Sequence, residues 1–186
     1  MVVPTVFPPF LTISTKLLLE FIEPMDLRDK KFLELGCGCG IISILAAKKG
    51  AVVTATDINN AALEALKANS AKNNIDIEIL HSDLFEKLHG SAFDIIVINP
   101  PYYPKTAQSI GENAWFCGEN FEYFKNLFSQ LPEFISTKTD VCMILSEDCN
   151  LDSIKSIAVD NRITFDLIYS KSVTAEKNFI FNLRLF

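Results

Sequence analysis

The chain has 186 residues, the size of one ordinary domain; 49% are hydrophobic and 22% charged, which excludes a disordered polymer and allows a buried core. A formal net charge of -6 and an isoelectric point near 4.9 argue against a broad phosphate-binding face, because non-specific nucleic-acid affinity comes mainly from Lys and Arg. No apolar run approaches the ~20 residues needed to span a bilayer, Met1-Val2-Val3-Pro4 lacks a signal-peptide start, and five cysteines without framework spacing fit a reducing cytoplasm.

Residues 2–10 read as extended, with Pro4, Pro8 and Pro9, after which Ser14 or Thr15 is placed to cap a helix that Pro24 ends. This short lead-in (1–29) precedes a first strand at 32–35 and a glycine turn, Gly36-Cys37-Gly38-Cys39-Gly40. A helix over 41–49 closes on Gly50 with lysines in its last turn. A second strand at 51–56 ends at Asp57, and Asn60 or its neighbour caps a helix over 61–71. The third strand, 75–80, is followed by Asp83, and the fourth, 93–98, is apolar throughout, as in a strand buried on both faces. Residues 119–135 read as a helix whose Phe121, Phe124, Leu127 and Phe128 belong to the core. A fifth strand at 140–146, a helix at 151–159 and two strands at 163–169 and 178–186 complete the chain, the last pair forming a hairpin. Strands alternating with helices imply right-handed crossovers and a doubly wound, three-layer α/β domain spanning 1–186, with a mainly parallel sheet and a C-terminal antiparallel hairpin.

The fourth strand breaks directly into Asn99-Pro100-Pro101-Tyr102. Each Pro fixes its own φ, removes a donor and keeps the preceding residue out of the α region, so no helical turn consumes the carbonyls of Asn99 and Pro100. Acceptors fixed at the carboxyl end of a strand, beside an aromatic ring, suit a flat group bearing an NH2. At the first crossover, strand, glycine turn and helix present backbone N–H groups to a polar ligand. Asp57, at the end of the next strand, is placed to accept from ribose hydroxyls. The dinucleotide pattern needs Gly at position 41, where Ile41 stands, which counts against a NAD enzyme.

Glu34-Leu35-Gly36-Cys37-Gly38-Cys39-Gly40, Asp57, Ser82-Asp83-Leu84-Phe85 and Asn99-Pro100-Pro101-Tyr102 together resemble a class I S-adenosylmethionine-dependent methyltransferase. Within that superfamily they are similar to the HemK/PrmC-type glutamine methyltransferases and to their relatives acting on amino groups of adenine or guanine. The resemblance implies a seven-stranded sheet with its last strand antiparallel, and S-adenosyl-L-methionine as donor with S-adenosyl-L-homocysteine as product. It implies that Gly36, Cys37, Gly38 and Gly40 lie against the methionine part, with Glu34 among the cofactor-binding residues. Asp57 would hold the ribose, Ile58 pack on adenine, and Asp83 with Leu84 take the adenine amino group. Asn99 would border both donor and substrate. Its side-chain oxygen and the Pro100 carbonyl would accept from the target nitrogen, Tyr102 stack on the planar group and Pro101 stiffen the turn. Two departures stand out: about thirty residues precede the first strand, without the helical N-terminal domain of bacterial members, and Ile13-Ser14-Thr15 replaces an acid-Thr pair. The first implies a partner subunit, as in short eukaryotic relatives.

The expected substrate is macromolecular, a protein glutamine ahead of an RNA or DNA base, with residues 106–115 as its rim. A non-catalytic cofactor-binding scaffold is the alternative of another class, to which the 15 Phe and mean hydropathy of +0.23 lend an apolar surface. His81 and His89 are assigned no catalytic role. Cys37 and Cys39 read as small buried residues, and no metal site is expected.

Overall fold

The computed structural model describes residues 12–173 and 176–186; the extended segment read at residues 2–10 lies outside them. In chain order the elements are α1 (Ile13–Ile22), β1 (Lys31–Leu35), α2 (Ile41–Lys48), β2 (Val52–Asp57), α3 (Asn60–Asn73), β3 (Glu78–His81) and β4 (Ile95–Ile98). They continue with α4 (Glu122–Gln130), β5 (Asp140–Ser146), α5 (Leu151–Asp160), β6 (Ile163–Val173) and β7 (Glu176–Leu185). The strands form one seven-stranded sheet in the order β3-β2-β1-β4-β5-β7-β6. β1 to β5 run parallel, whereas β7 is antiparallel to both of its neighbours, as the terminal hairpin predicts.

Side-chain alternation decides the three layers. Ile95 and Val97 of β4, with Phe32 of β1, face α1, α2 and α3 through Leu17, Leu18, Ile42, Ala46 and Leu66. Ile96 and Ile98, with Leu33 and Leu35, face α4 and α5 through Phe124, Leu127, Phe128 and Ile154. All four β4 side chains are buried, which is why that strand is an uninterrupted apolar run. Each such side chain contributes roughly 1.5–3 kcal/mol by leaving water.

Several boundaries differ from the sequence reading. Neither Ser14 nor Thr15 caps α1, which begins at Ile13 after Thr12; Thr15 lies inside the first turn and is buried. Residues 119–135 do not form one helix. Phe121 enters α4 at a φ of 60°, and after Gln130 a 3-10 turn, Leu131–Glu133, follows. Pro132, lacking an N–H, ends the α ladder there. α3 is capped by Asn59, whose side chain accepts from the Ala61 N–H at 3.0 Å. β6 runs on to Val173 through a register shift between Leu167 and Tyr169. No helix among the described residues is long and apolar enough to cross a membrane.

From β1 the chain winds outward to β2 and β3, then crosses back to β4 on the other side of β1. The connections after β1 and β4 therefore diverge, and a crevice opens between them at the carboxyl ends of the strands.

Candidate active site

That crevice is a hollow of about 520 Å³. Its walls are the segments following β1, β2, β3 and β4, together with Thr15 from α1, Tyr123 from α4, and the rim between Thr106 and Gly118. Glu34, Gly36, Cys37, Gly38, Asp57, Ile58, Asp83, Leu84, Asn99, Pro100, Pro101 and Tyr102 all line it. Gly40 does not. It starts α2 at a φ of +74°, and a Cβ there would lie 2.1 Å from Leu66 Cδ1, so this glycine serves the close approach of α2 to α3 rather than the hollow.

The glycine turn is pinned from below. Gly36 and Cys37 both donate to the Thr56 carbonyl at 2.9 Å, and Gly38 donates to Asp57 Oδ2 at 2.8 Å. Gly36 has a φ of +75° with open space where a Cβ would stand, so a ligand can approach the bare backbone. Cys37 and Cys39 are buried free thiols, both pushed up by burial. Among the described residues, no three His, Cys, Asp or Glu side chains are grouped to hold a metal ion.

Three carboxylates mark the ligand end. Glu34 Oε2 accepts from the Ser43 backbone N–H at 2.8 Å and from the Ser43 hydroxyl, tying β1 to α2. Burial pushes its pKa up to about 8; the Ser43 bonds pull the other way and the Asp57 charge adds to the rise. Asp57 is also raised by burial, opposed by N–H donors from Gly38 and Asn59, the latter at 2.8 Å to Oδ1. Each Asp57 oxygen keeps a further lone pair for a hydroxyl donor. Asp83 stands in a turn held by Ser82, whose hydroxyl donates to the Leu84 carbonyl at 2.9 Å and accepts from Lys87 N–H at 3.1 Å. Partial burial and then Glu86 raise the Asp83 pKa.

On the β4 side, Asn99 Nδ2 donates to Thr15 Oγ1 at 3.5 Å, and Thr15 also accepts from Thr12 Oγ1 at 3.0 Å. With its amide N–H group occupied by α1, Asn99 keeps Oδ1 as an acceptor for the hollow. No described donor ends on the backbone carbonyls of Asn99, Pro100 or Pro101. The Tyr102 ring lies 4.8 Å from that of Tyr103 at 53°, packs on the core beside Ser146 and is held protonated by burial. The rim is tied by Tyr103 N–H to Trp115 O (3.1 Å), Cys117 N–H to Tyr103 O (2.9 Å) and Gly118 N–H to Lys105 O (3.1 Å).

Thr15, expected as a helix cap, and Tyr123, expected in no role, both line the hollow, and Ser43 supports Glu34 from behind it. Thr15 meets Asn99 across 84 residues of sequence, which no local pattern reports. Tyr123 sits beside the core-facing Phe124 in an aromatic stripe, yet lines the hollow with its phenol near Asp57 and Asp83; burial and those two charges hold it protonated. Its N–H donates to Cys117 O at 3.0 Å, joining α4 to the rim. His81 Nε2 donates to the Ile58 carbonyl (2.9 Å), and exposed His89 faces Glu133 at 3.8 Å, both away from the hollow's lining.

Known proteins resemble this chain in sequence or in fold. The chain is 47% identical over 81 residues to a protein of Methanocaldococcus jannaschii named as a protein N5-glutamine methyltransferase, covering 43% of this chain and 41% of that one. It is 30% identical over 145 residues to ribosomal RNA small subunit methyltransferase C of Haemophilus influenzae, covering 72% of this chain and 43% of the other. The chain thus spans less than half the length of these curated relatives. In the solved E. cuniculi Mtq2–Trm112 complex, a chain of the same fold superposes with a TM-score of 0.70 at 19% identity, covering 98% of this chain and 99% of that chain. The model of the methyltransferase small domain matches residues 9–115, more than half of the sequence and the stretch that carries the walls after β1 to β4. The chain belongs to the methyltransferase small domain family.

Proposed function

We propose that this protein, acting as one domain, transfers a methyl group from S-adenosylmethionine to a planar amide or amino nitrogen, with a protein glutamine as the favoured acceptor. The observation that carries the reading is the Asn99-Pro100 acceptor pair at the wall of a hollow whose opposite side is a bare glycine turn flanked by Asp57 and Asp83. The hollow suits that donor. Its lining offers carboxylates for hydroxyl, amino and cationic groups, and among the described residues no Lys or Arg for a dinucleotide's phosphates.

When bound, S-adenosylmethionine supplies a methyl carbon on a sulfonium that is already a good leaving group, so the protein's task is positioning and electrostatics. An amide nitrogen is a poor nucleophile because its lone pair is delocalised. Asn99 Oδ1 and the Pro100 carbonyl accept its two N–H groups, orient the lone pair and stabilise positive charge developing on nitrogen. Thr15 holds Asn99 by its amide so that oxygen, not nitrogen, faces the acceptor. Tyr102 walls the planar group, and the two prolines keep the carbonyls from turning. Asp57 holds the glycine turn and supplies negative charge opposite the cationic donor, while Glu34 braces the turn from behind by tying β1 to α2.

The Methanocaldococcus relative and the acidic lining support a glutamine in protein; the Haemophilus relative supports a base in RNA as the second reading. The Mtq2–Trm112 likeness supports a protein partner subunit, and the free buried thiols accord with a cytoplasmic setting. The test is tritiated methyl transfer into cell extract by wild type and Asn99→Ala. Label lost to protease but resistant to nuclease is the expected result, with Asn99→Ala binding S-adenosylhomocysteine normally and transferring at least 100-fold more slowly. Label removed by nuclease alone selects the base; no transfer by wild type that binds the cofactor selects the scaffold.

A further inference from the structure

The mouth of the hollow combines two properties. Ile58, Tyr103, Ile110 and Trp115 are four of its lining residues and are exposed by 38%, 38%, 48% and 37%. The charged residues that line the hollow are Glu34, Asp57, Asp83 and Glu122; among the described residues no Lys, Arg or His joins them. On the rim itself Lys105 stacks on Phe116, its Nζ 4.8 Å from the ring centroid, while Glu112 takes the Gln108 N–H at 2.6 Å. With Glu34 held neutral by burial, a bound donor with one net positive charge offsets only one of the three charges of Asp57, Asp83 and Glu122. The surface is also preformed, since the Tyr103–Trp115, Cys117–Tyr103 and Gly118–Lys105 hydrogen bonds fix the rim, and docking need not order it.

We infer that the mouth is a docking surface for a peptide segment carrying an apolar side chain next to the accepting glutamine and Lys or Arg in its flanks. This rests on the glutamine reading above and narrows it. A phosphate backbone is repelled by the same excess of carboxylates that attracts basic flanks. The attraction reaches about one Debye length, ~8 Å at physiological salt, so only the two or three residues on either side of the glutamine sense it. The apolar rim seats the adjacent side chain through Ile110 and Tyr103.

The test uses the full chain with S-adenosylhomocysteine bound and four eleven-residue peptides with a central glutamine. Three carry a Leu beside it and differ only in flanks of Lys, Ser or Glu; the fourth has Lys flanks with that Leu replaced by Ser. A 20-nucleotide RNA stem-loop is the comparison. Binding is read from the fluorescence of Trp115, the chain's single tryptophan, and turnover from tritiated transfer with S-adenosylmethionine. The Lys-flanked peptide binds at least tenfold more tightly than the Glu-flanked one at 50 mM NaCl, and the gap falls below threefold at 500 mM. Replacing Leu by Ser weakens binding about fivefold in wild type but less than twofold in Ile110→Ser. Equal binding of Lys- and Glu-flanked peptides, or a gap insensitive to salt, overturns the inference while leaving glutamine transfer standing. Methylation of the RNA with no peptide bound or methylated overturns the glutamine reading and this inference with it.

Discussion

Glu34 carries a proton that the unfolded chain would lose. Its folded pKa of about 8 lies above the ordinary 4.5, because the carboxyl is buried between β1 and α2 with Ser43 as its hydrogen-bond partner. A carboxyl raised on folding stabilises the native state most at low pH, and that stability is lost as pH rises from about 4.5 through about 8. Between pH 5.5 and 8.5 the loss amounts to about 3 kcal/mol, taking ~1.36 kcal/mol per pH unit of unmatched ionisation. For a chain of this size that is a fall in Tm of roughly 6–12 °C. Glu34→Gln keeps a carbonyl oxygen for Ser43 and removes the titration. Thermal melts of both proteins every half pH unit from 5.5 to 8.5 therefore give a difference curve in which every other titrating group cancels. The wild-type Tm falls relative to the variant across that window. Parallel curves would refute the argument and mean that Glu34 is ionised in the native protein. Saturating S-adenosylmethionine, being cationic, favours the carboxylate and flattens the wild-type slope.

Other consequences are separable by stability and binding. Gly40→Ala forces a methyl into Leu66 at a left-handed φ and costs about 2–4 kcal/mol, seen as a lowered urea midpoint. Gly36→Ala meets open space, costs about 1–2 kcal/mol for its φ alone, and weakens S-adenosylhomocysteine binding at least tenfold in calorimetry, because the added methyl enters the hollow. Tyr123→Phe leaves Tm within about 2 °C, the phenol being at the hollow rather than inside the core, and weakens S-adenosylhomocysteine binding about three- to tenfold. Thr15→Val, which removes the acceptor for Asn99 Nδ2, lowers kcat about tenfold with the cofactor Kd unchanged.

Much of the site was legible because of where the sheet puts it. Asp57 ends β2, and Asp83 and Asn99 follow β3 and β4, strands whose patterns are visible in one dimension, and a parallel sheet gathers those ends at one rim. Gly40 lies off the hollow's lining, and a glycine's demand for space looks the same in sequence whether a ligand or Leu66 presses on it. The helix over 119–135 was read too long, since the spacing of its aromatics says which residues face the core but not that Phe121 leaves the α region or that Pro132 ends the ladder. Thr15 and Ser43 act through contacts with Asn99 and Glu34, which only folding creates.

The three cross-ties between Tyr103, Lys105 and Trp115–Gly118 close the rim into a ring whose base they fix, while the outer arc is held by short-range hydrogen bonds of its own. Extra residues grafted between Thr106 and Ile110 would hang outside that ring without shifting the carbonyls behind it. Evolution or a protein engineer could thus exchange the collar for one that greets a different guest while the chemistry at its back continues unaltered.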